Sequence, residues 1–377
     1  MITYDERANA TVSVFKRTAP SKENCDMTAA YEIPPPHGSK ATFRSKPVDP
    51  GKIHVIIPTY NDWEGLRKTL DSLRRLSPAP KRITVVDDNR FKSQPEWLKD
   101  YRVIVAPAYE GNRGPAYARN IGFGFPATQH YRHIFTSGYS GPNFDRMRRR
   151  ERRDDRRLEH DSRKPREFRW RHDIDWCYFT DCGCEPAPDI FLQFESAWRE
   201  TGDSCVAISG PIQGLGDGSI NKFMTKQGVL NPPKERMIYD TTVPQAIITA
   251  NALIASIALS FVGGFDETFQ EAAGEDLDLG LRLRRLGMIG WAEKAVVTHS
   301  FAEDRDDFIR RFRRYGAGNR RLEVKHNLPS LRARKKVAES PDLQELADLQ
   351  IDAMQKGYDD AVDQSARGMI VTHQEED

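Results

Sequence analysis

The 377-residue sequence contains no apolar run near the ~20 residues that a membrane-spanning helix needs. Its first residues, MITYDERANATVSVFKR, lack the apolar stretch of a secretory leader. Both absences lead to the expectation of a cytoplasmic protein without a transmembrane segment. Cysteine is scarce. Cys25, Cys177, Cys182, Cys184 and Cys205 form an odd, uneven set that makes no disulfide framework. The C-x4-C-x-C spacing of the middle three lacks the paired C-x2-C knuckles of structural zinc sites, which argues against a metal cluster, and Cys177 on a buried strand is expected to pack as a small hydrophobe. Apolar residues reach only 38% while charged residues reach 30%, which implies a folded core diluted by polar segments. Neither sign of charge dominates. At a net +2, overall charge selects no class of partner.

What is present is a succession of strand and helix signals. Residues 1–50 show no sustained periodicity and carry Pro34-Pro35-Pro36, Pro47 and Pro50, so they are read as a partly disordered N-terminal extension. Residues 53–57 are a short β-branched run ending at Pro58, a buried strand. Asn61 with Glu64 fits a capping box, and Leu66, Leu70 and Leu73 then recur at helical spacing. Further strands are expected at 83–86 and 102–105, with a helix opening at Pro115. Strands separated by helices imply right-handed βαβ units and a mainly parallel sheet.

The pattern breaks in an insertion at about 135–172. From Asp145 to His172, Arg and Lys occupy 13 positions against 7 for Asp and Glu, a composition that forms no packed core. It lacks the interleaved aromatics of a single-strand binding platform, which argues against a nucleic-acid partner. Strands resume at 176–180 and 205–209. The stretch 246–258 is apolar and of mixed character, 275–286 is an amphipathic helix stopping at Gly287, and 290–298 reads as a final core strand. Residues 51–325 thus read as one α/β domain. Residues 326–377 form a helical C-terminal extension that packs on the domain or joins a second copy as a homo-oligomer.

Loops at the carboxyl ends of parallel strands converge on one edge of a sheet, where open α/β folds bind ligands. Four acidic or polar clusters follow strands here: Pro58-Thr59-Tyr60-Asn61, Asp87-Asp88-Asn89, Asp181-Cys182-Gly183-Cys184 and Gly274-Glu275-Asp276. The ordered series VIIPTYNDWEGLRKTLDSL, ITVVDDN, GNRGPAYARNIGF, FTDCGCEPAPDIF, GGFDETF and GEDLDLGLRLRRLG resembles the family 2 glycosyltransferases of GT-A fold over roughly residues 52–320. The resemblance implies a nucleotide-sugar donor and a sugar or small-molecule acceptor. It places Pro58, Thr59 and Tyr60 at the nucleotide base, and Asp88 as acceptor of a uracil ring hydrogen bond. Arg113 and Gly114 belong to the loop closing over that base, and Asp181 is the first acid of Asp-x-Asp near the ribose and diphosphate. Glu275 and Asn251 line the donor, Asp276 is the base of the Glu-Asp pair, and His299 approaches the diphosphate or its metal.

Sugar transfer needs a fixed carboxylate within reach of the acceptor hydroxyl, and Asp276 in the first turn of its helix is expected to be ionised by the dipole. Asp278 reads as a solvated helix charge. The leaving diphosphate needs positive charge. The second acid of Asp-x-Asp is replaced by Gly183, so a Mg2+ or Mn2+ cofactor would rest on Asp181 and His299 with water and phosphate oxygens. Arg313 or Arg314 in the basic run 310–315 would meet phosphate from a flap. The Gln-x-x-Arg-Trp pattern of processive synthases is absent, which favours single additions. Two rivals stand beside this reading. One is a noncatalytic nucleotide-sugar or RNA-binding protein. The other is a sugar nucleotidyltransferase, which would want a glycine-rich, lysine-bearing loop where Pro58-Thr59-Tyr60-Asn61-Asp62 stands.

Overall fold

The computed structural model describes residues 43–89, 94–107, 112–124, 173–231, 234–236, 242–244, 246–301, 304–333 and 340–372. Most of the N-terminal extension and the whole basic stretch 145–172 lie outside the described residues. Twelve strands are described: β1 (Ile53–Thr59), β2 (Arg82–Asp87), β3 (Ile104–Pro107), β4 (Trp176–Phe179), β5 (Cys184–Pro186), β6 (Cys205–Ser209), β7 (Ile212–Gly214), β8 (Lys234–Arg236), β9 (Thr242–Pro244), β10 (Ala252–Ala255), β11 (Met288–Trp291) and β12 (Val297–His299). The α-helices are α1 (Trp63–Leu73), α2 (Pro115–Phe123), α3 (Ile190–Thr201), α4 (Ser219–Lys226), α5 (Ser256–Phe261), α6 (Glu275–Leu283), α7 (Arg305–His326) and α8 (Gln344–Thr372).

Seven strands form the central sheet in the order β11-β6-β10-β4-β1-β2-β3. Every pairing is parallel except those of β10, which runs against both β4 and β6. The α/β fold class expected from the sequence is therefore present. β1 and β4 are buried on both faces, as strands covered by helices on each side must be, which explains their unbroken apolar runs. Leu66, Leu70 and Leu73 of α1 join that core.

Local chemistry corrects several boundaries. The cap of α1 is Asp62, whose carboxylate accepts from the Gly65 amide at 2.8 Å; Asn61 instead takes a left-handed φ of 59°, so the Asn61/Glu64 capping box does not form. Pro115 does open α2, as N1 of a helix with no need for that amide. The segment 290–298 is not one strand. Glu293 and Lys294 interrupt it, so β11 closes the main sheet while β12 joins a second sheet, β5-β12-β7. The mixed stretch 246–258 resolves into a 3-10 turn at Thr249–Asn251, then β10, then the start of α5.

That reversal positions the site. β1, β2 and β4 all end at the same edge, and Ala252, the first residue of antiparallel β10, pairs with Phe179, the last of β4. The turn Thr249–Asn251 therefore reaches the edge where Thr59, Asp87 and Thr180 emerge.

A second apolar cluster lies outside the sheet. α7 and α8 pack as a hairpin with Phe301, Phe308, Phe312, Leu343, Ala347 and Met354, and with Phe223 and Met224 of α4. The two helices approach closely enough that a Cβ on Gly316 would overlap the Met354 carbonyl, and one on Gly357 would overlap that of Arg313. The inward face of α8 is thus occupied by α7 of the same chain. No helix among the described residues is long and apolar enough to cross a membrane.

Candidate active site

The nucleotide end of the cleft is built on β1, β2 and the entrance to α2. The Asp88 amide donates to the Thr59 carbonyl at 2.9 Å, extending the β1–β2 pairing one residue past the strands. The buried Asp88 carboxylate accepts from the amides of Arg113 at 3.2 Å and Gly114 at 2.8 Å. Burial raises its pKa against the pull of those amides. Gly114, at φ 89°, must be glycine, because a Cβ there would overlap the Gln270 carbonyl. Arg113 lies over the Tyr117 ring at 5.1 Å. Beside this loop Tyr60 is 51% exposed, an unusual position for a large ring. Pro58 accepts from the Cys182 thiol at 3.4 Å, which ties β1 to the turn after β4.

The reacting end centres on a residue that reading the sequence did not single out. Arg119 of α2 is only 3% exposed and bridges two of the expected acids. Its Nη2 donates to Asp181 at 2.8 Å and its Nη1 to Glu275 at 2.9 Å. Burial disfavours the guanidinium charge, but Asp181 and Glu275 outweigh it and raise its pKa. Asn120 beside it donates to Phe265 and Glu267 and accepts from the Phe265 amide, clamping the loop before α6. A signal was available: Arg119 is the one charged residue of PAYARNIGF, and in a helix buried from Ala116 to Asn120 and at Gly122 a charge turned inward needs a partner.

One residue beyond Glu275 stands Asp276. Its carboxylate accepts from the Leu277 amide at 2.8 Å and from the Thr249 amide. The helix dipole does not dominate as expected. Burial, reinforced by the Glu275 charge, pushes the Asp276 pKa up to about 7 against Arg119 and the amides. Glu275 is itself raised by burial against Arg119, and its Oε2 is buried without a hydrogen bond.

On the other side of Asp181, the turn at Gly183 takes φ 80°, and a Cβ there would sit 3.8 Å from His299 Nε2. Burial and then the Arg311 charge lower the His299 pKa, so the ring is neutral at neutral pH. It stacks on Phe301 at 4.6 Å, and Arg311 lies over Phe301 at 5.6 Å. Among the described residues no three His, Cys, Asp or Glu side chains converge as a metal site. A neutral imidazole and the second oxygen of Asp181 nevertheless suit a hard cation that keeps its water and phosphate ligands.

Two positions expected at the cleft do not face it, and a third departs from its expected exposure. Asn251 is fully buried with its amide donating to Pro211 and Ala295 and accepting from Tyr178, so it holds the scaffold instead of lining a donor. Arg313 pairs with Asp360 of α8, because α7 is a regular helix and that face meets its neighbour; Arg311 is the basic residue whose charge reaches His299. Asp278 is not solvated at all: it is wholly buried among Arg282, Lys325 and His326. Cys177 is buried in the core as expected of a small hydrophobe, with its Sγ against the Ser256 hydroxyl, and Cys184 and Cys205 are buried as well.

Both ends of this site fall inside stretches that match known families. The model described as "Glycosyl transferase family 2" matches residues 54–130, and "Glycosyl transferase family group 2" matches 235–341. Both models describe family 2 glycosyltransferases. The pre-mycofactocin glycosyltransferases of two Mycobacterium tuberculosis strains are 25% identical over 308 residues, covering 80% of this chain and 52% of their own length. The chain thus spans about half the length of the curated relatives it matches. Among solved structures, a mannosyltransferase from Pyrobaculum calidifontis with GDP-Man and Mn2+ superposes with a TM-score of 0.45 at 14% identity, covering 89% of this chain and 83% of that one. Staphylococcus aureus TarS with UDP superposes at 0.41 and 14% identity, covering 84% of this chain and 92% of that one.

Proposed function

We propose that this family 2 glycosyltransferase moves a sugar from a UDP-sugar to a hydroxyl of a small acceptor in a single inverting displacement, with Asp276 as base. The observation that carries the reading is the half-buried Asp276 carboxylate, raised to about 7, at the front of a helix docked through Glu275 and Arg119 to the same Asp181 that follows β4. A base works best when its pKa lies near the working pH.

In this reading Tyr60 stacks on the base. Asp88, whose carboxylate accepts from the loop amides, keeps a lone pair for the uracil N–H, while Arg113 and Gly114 close the loop. Asp181 holds the ribose and diphosphate side of the donor. Glu275 Oε2, buried and unpartnered, accepts from a sugar hydroxyl. The acceptor oxygen bonds to the anomeric carbon as the bond to the diphosphate oxygen breaks. The hydroxyl proton passes to Asp276, and the nucleoside diphosphate leaves with the bonding pair. Arg119 is neutralised by its two carboxylates, so the positive charge for the leaving group comes from elsewhere. A Mg2+ or Mn2+ held by Asp181 and His299 would supply it, as would the Arg311 side of α7.

The test is release of UDP from a panel of UDP-sugars and GDP-sugars with Mn2+, with and without candidate acceptors. Turnover should appear in wild type and vanish in Asp276→Asn. Its kcat/KM should rise with pH through about 7, because the ionised carboxylate is the active form. Donor binding without turnover for any acceptor would favour the noncatalytic reading.

A further inference from the structure

The buried carboxylate of Asp278 has no part in the chemistry above, yet four donors from two helices converge on it. Oδ2 accepts from Arg282 Nε at 2.9 Å and Nη2 at 2.7 Å, both from the next turn of α6. Oδ1 lies 2.7 Å from His326 Nε2 and 2.5 Å from Lys325 Nζ, both at the end of α7. Lys325 also reaches Asp266 at 2.7 Å, and Arg282 Nη1 donates to the carbonyls of Val262 and Gly264. The loop before α6, α6 itself and the last turn of α7 are thereby joined through one side chain. A second contact runs the same way: Gly318 of α7 packs so closely on Ala273 that a Cβ would meet its backbone.

Burying such a network is a poor way to gain stability, since apolar packing of equal volume does as well, but it fixes relative geometry. Asp278 sits two residues after Asp276, roughly 200° around the helix at 3.6 residues per turn. The helix is gripped from behind at Asp278 while Glu275 is held by Arg119 at the side. We infer that Asp278 is a positioning residue: clamped by Arg282, Lys325 and His326, it sets the rotation of α6 that turns Asp276 into the cleft. It makes the end of α7 part of the catalytic geometry although no atom of that turn meets substrate. The inference rests on Asp276 being the base.

The experiment compares full-length wild type, Asp278→Asn and Asp276→Asn, using UDP for binding and the UDP-sugar that wild type turns over for kinetics. Asp278→Asn keeps the shape and removes the charge. Its UDP affinity and donor KM should stay near wild type, while kcat falls about 100-fold, the scale expected for a catalytic group displaced by about 1 Å. The acid limb of its pH profile should move down, because a carboxylate released toward water returns to the ordinary range. The charged groups facing Asp276, namely Glu275 on its own helix and Arg119 from α2 with Asp181 behind it, are untouched by the change. A purely structural role would lower the melting temperature and leave that limb in place.

Should Asp278→Asn fail to fold, Lys325→Gln with His326→Gln removes the α7 half of the clamp, and the same split between kcat and KM is expected. Folded variants with wild-type kcat and an unmoved limb, beside an inactive Asp276→Asn, overturn this inference alone. Wild-type turnover in Asp276→Asn overturns the functional reading and this inference with it.

Discussion

Arg119 shows how one side chain decides the electrostatics of the whole cleft. It is a buried cation between two carboxylates, so the three groups carry one net negative charge before Asp276 is counted. Removing it leaves Glu275 without its cation in a place that solvent barely reaches, while the more exposed Asp181 keeps some contact with water. Arg119→Met should therefore destabilise the fold by about 3–5 kcal/mol, the usual scale for a broken buried pair, measurable by urea unfolding. Arg119 also lowers the Asp276 pKa, against burial and Glu275, which raise it. Its loss should then move the acid limb of the activity profile to higher pH, opposite to the shift expected for Asp278→Asn. Arg119→Lys should fold better than the methionine variant but still lose turnover, because one ammonium cannot hold both carboxylates in the planar fork geometry. An unmoved limb in a folded Arg119→Met variant that keeps residual activity would mean that Asp276 is not the group titrating.

At the scale of elements, the loop entering α2 is fixed by backbone contacts that only glycine permits. Gly114 takes φ 89° and its amide caps the Asp88 carboxylate, while its α-carbon lies against the Gln270 backbone. Gly114→Ala should cost about 1–3 kcal/mol from strain and overlap. It should also weaken UDP binding more than it alters kcat, since the loop belongs to the nucleotide end. Calorimetry with UDP and a thermal melt check both; unchanged affinity would separate this loop from the base. How much of this was legible follows from periodicity. The strands at 53–57, 83–86, 176–180 and 205–209 stand where their β-branched or apolar runs put them, and the clusters after β1, β2 and β4 meet at one sheet edge because those strands are parallel. Gly274-Glu275-Asp276 follows antiparallel β10 and is brought there by Arg119 and Thr249 instead. Partnership was not legible. Asp278 looked solvated because its cations lie 48 residues on or one turn away, and periodicity carries no information about such distances. Asn251 looked like a ligand because a polar residue in an apolar run signals burial without saying what satisfies it. The break between β11 and β12 was hidden for a related reason, since two short strands on different sheets read as one.

Across the molecule, two apolar clusters must hold together for the site to exist. One covers the central sheet, and the other lies between α7, α8 and α4; Leu230 packs against both. Helix α6, which carries Asp276, lies at their junction, bonded to the sheet side through Arg119 and to the hairpin side through Lys325 and His326. If those bonds couple the clusters, loosening the hairpin loosens the site and the chain unfolds in one step. Phe312 tests this because it is fully buried in the hairpin, in contact with Phe308 and Tyr315, and remote from the cleft acids in sequence. Phe312→Ala should cost about 3–5 kcal/mol, as large-to-small core changes of this type do. The expected result is a single unfolding transition at lower urea, reported identically by far-ultraviolet circular dichroism and by UDP-dependent protection. Activity should be lost along that same curve. Two separated transitions, with UDP binding and turnover surviving the first, would show that the hairpin is an independent unit and that α6 keeps its place without it.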